Sequence, residues 1–445
     1  MNRPVRRRGR KPTAPQSKET TPEDGQSNGQ DTDSGFTSLP AVRQLIQIYR
    51  DTIFPFLPEK DLLTRWENAI PDPDGPSYLL LMALCAVSSQ TVALNAVFDE
   101  GLLQGLCTNH GDKYLTEAVS RIPQRISQSQ DLDYLRSFGL LALHALRRGD
   151  HSDLHRYLGL YHALVAQNGF HDEGRWPEHL SSADVDDRRR FFWCVYRLEI
   201  HSACVLGHVV RMPEAQVSVL YPRITPAMDP EAQAWTAGWD YITDLFRLLE
   251  YAIFSLRGSS SGSSRGRNAS LAVLCDRPSP TTLLGSLARL KAGKPHILLG
   301  SGGEEPGSNN NSGGGGGCCF QSNRCKYMGV QITSTEALVD IMALLYCQAP
   351  AREVMGTAES FLEEVAKAPL IMFRVASSQI VHQLLGVGHM LYNASQYENG
   401  HRHRSEARRL IALLGDLVRS LEHDIPSAAE AGQRLLGLAD AAAVG

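Results

Sequence analysis

Histidines and carboxylates that could gather around a metal ion are the first chemistry this chain offers. His144, His151, His155 and His162 lie ahead of an adjacent His171-Asp172 pair, with Asp184 and Asp186 following. Metal-dependent phosphohydrolase chemistry of the His-Asp type needs that order, with an upstream His, a His-Asp pair and a later Asp converging from separate helices on one ion. His151, His155 and His162 share a helical face, because offsets of 4 and 11 residues return near the starting angle. The same face reads as the wet edge of an amphipathic helix. The Gly-x-Ser-x-Gly spacing occurs only in polar, low-complexity stretches (25–29, 258–262 and 262–266), where no strand leads into a nucleophile elbow, and no phosphate loop or dinucleotide fingerprint occurs. The glycine run Gly313–Gly317 follows no strand and opens no helix, so it reads as a linker.

Cysteine chemistry is thinner. Nine cysteines stand at 85, 107, 194, 204, 275, 318, 319, 325 and 347, with no Cys-x-x-Cys pair anywhere. Most sit in apolar runs, where Cys acts as a small buried hydrophobe. An odd count without regular spacing points to a reducing intracellular setting. Cys318, Cys319 and Cys325 fall in a low-complexity stretch with no partner set for a metal. The other concentrated chemistry is positive charge. Arg3, Arg6, Arg7, Arg8, Arg10, Lys11 and Lys18 fill the first eighteen residues with no carboxylate among them, although the whole chain of 445 residues carries a net charge of −4. Arg6, Arg7, Arg8, Arg10 and Lys11 can serve as a nuclear import signal, as weak phosphate contacts or as a solvated end. Their Arg-Gly-Arg core also resembles a minor-groove hook, but Lys11 intervenes before Pro12 and there is a single copy.

The elements that would position these residues read as helices. Hydrophobic residues make up 42% and charged residues 21%, enough apolar surface for a sizeable core. The start leads into Pro, Ser, Thr and Gln rather than an apolar segment, so no signal peptide is read. The longest apolar run, Leu79–Val87, is about half of the ~20 residues a membrane helix needs, and no membrane partner is expected. Residues 1–38 read as a disordered basic and polar tail. Helical periodicity then covers Leu39–Pro55, Glu59–Ile70, Ser77–Leu94, Asp112–Ile126, Leu132–Arg147, Ser152–Asn168, Asp184–Leu206 and Asp229–Leu256. Residues 257–328 read as a flexible Gly/Ser/Asn-rich insert with one short apolar piece, Thr281–Leu290. Helices resume at Ile332–Cys347, Glu353–Val365, Leu370–Asn393, Ser405–Leu421 and Ser427–Leu438. The expected fold is all-α: an array of antiparallel helices over residues 39–256, completed by 329–445.

Two adjacent segments carry a resemblance. Leu140–Asp172 reads as helix, Gly-Asp turn, helix and a terminal Gly-Phe-His-Asp. Arg188–Pro222 holds the basic triplet Arg188, Arg189 and Arg190, the pair Phe191-Phe192 with Trp193, then Tyr196, the acidic Glu199, Gly207 and a Pro-containing descent. In that order they resemble the fungal-specific transcription factor domain, the regulatory middle region of the fungal zinc-cluster transcription factors. The chain departs from the family pattern at Phe170 (usually Leu), at Glu199 (usually Asp) and at Gly207-His208-Val209 (usually Gly-Arg-Pro). The motif helix is apolar around almost its whole circumference and belongs inside the array. Glu199 on it needs a cation, expected from Arg188–Arg190 or Arg197.

The resemblance implies a fungal transcription regulator acting in the nucleus, without catalysis, on a metabolic or biosynthetic gene set. It also implies a six-cysteine zinc cluster ahead of the regulatory region, whereas the first cysteine here, Cys85, lies in an apolar helix. The chain reads as a family member beginning just after its DNA reader, with zinc expected only if such a cluster precedes it. DNA is then met weakly, through the basic tail. Transcription machinery, co-regulator proteins and a small-molecule effector are the partners implied, and a co-regulator acting through protein partners alone is the rival reading.

Overall fold

The structure, a computed structural model, describes residues 38–52, 65–66, 69–106, 110–126, 129–260, 279–295, 323–397 and 401–444. The basic tail, most of Glu59–Ile70 and residues 301–317 lie outside them. Among the described residues the chain forms fourteen α-helices and no strand, with one isolated bridge between Asp172 and Ser218.

Helix α1 (Leu39–Thr52) opens the array, and its Val42 N–H donates to the Ser38 carbonyl. Helix α2 (Pro76–Ala93) starts on Pro76, whose missing N–H would have been unpaired there anyway. It is apolar on every side and packs against α1, α3 (Gly111–Ser120) and α4 (Leu132–Arg148). Helix α3 stops at Ser120 rather than Ile126, because Pro123 lacks a donor and biases its predecessor away from helix.

Helix α4 and α5 (His151–Asn168) form a hairpin around Gly149, at φ 76°, and Asp150, whose carboxylate caps α5 through the Asp153 N–H. A capping box between Ser181 and Asp184 starts α6 (Ser182–Leu206), and Gly207, at φ 74°, ends it. Helix α7 (Pro230–Ser260) packs on α6, and α8 (Pro280–Ala292) buries Leu283 and Leu287 against the bundle inside the segment read as an insert.

Helix α9 (Asn323–Tyr346) begins nine residues before the expected Ile332. That corrects the reading of Cys325, which is buried in this helix rather than carried in a loop. Helices α10 (Ala351–Val365), α11 (Leu370–Ala376), α12 (Ser378–Tyr397), α13 (His401–Arg419) and α14 (Ala428–Val444) complete the chain. The single helix expected over Leu370–Asn393 is broken at Ser377, which takes φ 50° and bends α11 from α12 by 96°. The Ser377 and Ser378 hydroxyls both donate to the Arg147 carbonyl, so the bend is tied to the end of α4.

Among the described residues two single helices, α2 and α9, are long and apolar enough to cross a membrane. The sequence reading, based on the run Leu79–Val87 alone, missed both because Ser and Thr interrupt them without lowering their average much. Both bury most of that surface in the bundle, 78% and 61% of the window. One hydrophobic core runs through both parts of the array, with α12 packed on α4, α6 and α9.

Candidate functional site: the motif helix and its partners

Helix α6 carries the second motif, and neighbours on every side bury it from Arg189 to Ala203. Its acidic first turn faces the exposed N–H groups and positive end of the helix dipole. The basic triplet is dispersed rather than pooled. Arg188 lies over the Trp176 ring at 5.9 Å, and burial lowers its pKa. Arg189 grips Glu173 with two 2.7 Å hydrogen bonds and also reaches Asp186. Arg190 pairs with Asp187 at 3.1 Å. Glu173 in turn accepts the Leu220 N–H, so Arg189 fixes the descent after the helix as well.

The aromatic residues make the core. Phe191 and Phe192 are fully buried, and Phe170, standing in the family's leucine position, stacks on Trp176 at 5.4 Å. Trp193 Nε1 donates to the Leu220 carbonyl. The Tyr196 hydroxyl donates to Glu250 on α7, which also accepts the Glu214 N–H. Burial, with Glu250 beside it, pushes the Tyr196 phenol far up; burial likewise raises the Glu250 carboxyl.

Glu199 is the buried acid, and its expected partners are corrected by the geometry. Arg188–Arg190 lie nine to eleven residues back, roughly 13 to 17 Å along the axis, and Arg197 projects from the other side of the helix. Glu199 instead meets His162 Nε2 at 2.5 Å and accepts the Arg211 N–H, with the Arg211 guanidinium at 4.0 Å. His162 Nδ1 lies 2.6 Å from the Leu158 carbonyl, so both ring nitrogens face oxygen. His162 is therefore no wet-edge residue. Gly207 supplies the left-handed turn that brings the following strand of chain, with Arg211, back to Glu199.

Arg197 turns toward α7. It donates to Thr243 Oγ1 and Cys194 Sγ and lies 4.9 Å from the Trp239 ring. A cavity of about 30 Å³ opens there, lined among others by Arg190, Trp193, Trp235 and Asp240, with room for roughly two waters. Burial raises the Asp240 carboxyl to about 7 against the pull of Arg197. Sequence reasoning missed His162, Arg211, Glu173, Glu250 and Asp240 as partners. Only the 3.6-residue repeat on α5 hinted at His162.

The metal constellation weighed for phosphoester hydrolysis is not assembled. His144 is buried on α4, Asp172 caps the turn at Glu173–Arg175, and Asp184 and Asp186 serve Ser181, Arg189 and Arg223. Among the described residues no group of three or more His, Cys, Asp or Glu side chains is placed to hold a metal ion. Arg6, Arg7, Arg8, Arg10, Lys11, Cys318 and Cys319 lie outside the described residues.

Residues 49–234 match the fungal specific transcription factor domain. The matched stretch runs from the end of α1 into the start of α7 and contains both motif segments whole. Proteins carrying this domain are transcription factors, which are not enzymes and act in general in the nucleus. No curated protein and no solved structure matches the chain.

Proposed function

We propose that the chain is the regulatory part of a zinc-cluster type regulator that controls a metabolic or biosynthetic gene set. Its helical body gates activation through contacts with transcription machinery, co-regulator proteins or a small effector. The observation supporting this most directly is the domain match over 49–234, which includes a helix whose motif residues are spent on packing and internal ion pairs. A helix used in that way organises a body and leaves recognition to other surfaces. The 445 residues hold no Cys-x-x-Cys pair, so base-specific reading has no zinc cluster in this sequence to rest on. Arg6, Arg7, Arg8, Arg10 and Lys11 act in this reading as the nuclear address and as weak phosphate contacts.

Two measurements test the proposal. Fused to a heterologous DNA-binding domain, residues 39–445 should change transcription of a reporter carrying that domain's site, and an inert fusion rejects the reading. The chain alone should bind duplex DNA only non-specifically, around ~10⁻⁴ to 10⁻⁶ M at physiological salt, with steep loss as salt rises. Nanomolar, sequence-selective binding in fluorescence anisotropy would reveal a DNA reader within these residues.

A further inference from the structure

Helix α8 sits on the bundle the way a separate helix would. It has its own start, since the Ser279 hydroxyl accepts the Thr282 N–H at 3.1 Å and Pro280 opens the first turn. Leu283, Leu287, Lys291 and Lys294 stand at offsets of 4, 8 and 11, which return to one face. That face lies on α7 and α9. Leu283 and Leu287 are 2% and 3% exposed. Lys291 Nζ meets both oxygens of Asp340 on α9, at 2.5 and 2.6 Å, and Lys294 pairs with Glu336 at 3.1 Å. The Lys294 ammonium also lies 5.5 Å from the ring of Tyr241 on α7, whose hydroxyl donates to Glu336. Beyond these contacts α8 is held lightly. It buries only those two leucines among its 13 residues, whereas more than half of the 24 residues of α9 are buried. Residues 261–278 and 296–322 join it to α7 and α9, and each stretch is long enough for α8 to leave its seat without drawing either helix with it.

We propose that α8 is the resident occupant of a helix-binding groove between α7 and α9. Its competitor is an amphipathic helix of a co-regulator with the same pattern: two leucines four residues apart, then lysines four and seven residues after the second. That the partner is a co-regulator rests on the function proposed above, whereas the groove stands on its own geometry. The seat combines an apolar stripe with two acids one turn apart, Glu336 and Asp340. Burial pushes the Asp340 carboxyl up, and Lys291 draws it back down, so the seat without its lysines is left with an uncompensated acid pair. The leucine pair sets the register of an incoming helix, and the acids select a basic one over an acidic one. Tethering gives α8 a high effective concentration, so the groove is filled by default and yields only to a stronger or locally presented helix.

The test uses the full 445-residue chain, with a fluorescein-labelled peptide of residues 279–294 as the probe. Leu283→Asp with Leu287→Asp in the chain unseats α8. That variant should bind the peptide at least tenfold more tightly than wild type in fluorescence anisotropy, with its helical circular dichroism kept. A peptide carrying Lys291→Glu and Lys294→Glu should bind the variant at least tenfold more weakly than the unaltered peptide. Hydrogen exchange on the wild-type chain needs no variant: α8 amides should exchange at least tenfold faster than those of α9, and this comparison decides alone if the double variant unfolds. Equal protection of α8 and α9 makes α8 a fixed part of the body and overturns the proposal. So does a folded double variant that takes up no more peptide than wild type, or equal binding of the two peptides. None of these measurements reads a promoter, so they can fail while the reporter fusion still changes transcription, and the reverse.

Discussion

Glu199 and Arg147 are both ionisable groups taken out of water, and the fold treats them in opposite ways. Glu199, 2% exposed, meets the imidazole of His162, the N–H of Arg211 and the edge of its guanidinium. Arg147, 4% exposed, has no carboxylate in ion-pair reach among the described residues. It donates to Thr91 Oγ1 at 2.7 Å and to the Val87 carbonyl at 3.4 Å, leaving Nε and Nη2 without hydrogen-bond partners. Burial lowers its pKa to about 10. Its side chain meets the C-terminal half of α2 through Val87 and Thr91, with Tyr327 nearby, and it stands in the last turn of its own helix, where the dipole favours a cation. One charge is balanced by side chains brought from far along the chain, the other by a hydroxyl, a carbonyl and the end of its own helix. Charge balance by a partner is lost when either member is removed, whereas balance by dipoles survives removal of the charge.

The largest effect should therefore follow Glu199→Ala. It strands His162 and Arg211 beside an apolar helix, and urea unfolding should show a loss of about 3 kcal/mol. A loss below ~1 kcal/mol would mean that the pair contributes little and that the comparison with Arg147 is empty.

Acidification should come next. His382, His201 and His144 have folded pKa values of about 4, 3 and 3, all lowered first by burial. Between those values and ~6.5 the unfolded chain binds more protons than the folded one, so their contribution is present above pH ~6.5 and lost as pH falls. Asp240 works against them. Its raised folded pKa, about 7, makes the folded chain the better proton binder from ~7 down to ~3.8, so acid relieves it. Asp240→Asn should thus lose Tm more steeply than wild type between pH 7 and pH 5. Parallel slopes would remove Asp240 from the balance. Arg147→Met should stay within about 1 kcal/mol of wild type, since it removes a buried charge while Thr91 keeps its bond to the Val87 carbonyl.

Those same two residues show what the sequence could and could not reveal. Helices were legible wherever a 3.6-residue repeat ran between a cap and a glycine, as in α4, α5 and α6. The buried placing of Phe191, Phe192 and Trp193 followed from apolar residues all round the helix. The need of Glu199 for a cation was legible from burial, but its partner was not, because His162 and Arg211 lie 37 residues before it and 12 after. Only the left-handed turn at Gly207 brings Arg211 back. The break at Ser377 carried no signal either, since neither Gly nor Pro stands there. It is held by hydroxyl bonds to Arg147, on another helix. Cys325 was misplaced because a helix start among Asn, Arg and Lys looks like the polar stretch before it.

The smallest effect lies within the basic triplet, and it extends the comparison from buried charges to half-buried ones. Arg189 and Arg190 are adjacent, equally charged, and each paired with a carboxylate. The Arg189 side chain is 10% exposed and forks onto Glu173, which also holds the Leu220 N–H. The Arg190 side chain is 30% exposed and makes a single 3.1 Å ion pair, with Asp187 three residues back on its own helix. A bidentate, desolvated pair gains from geometry and low dielectric, whereas a partly solvated i,i+3 pair is screened. Arg189→Ala should therefore cost about 2 kcal/mol, because it leaves Glu173 beside a backbone N–H with its main cation gone. Arg190→Ala should cost about 0.5 kcal/mol, shrinking further in 0.5 M salt. Equal losses in paired urea titrations at low and high salt would show that the triplet acts through its summed charge and not through separate partners.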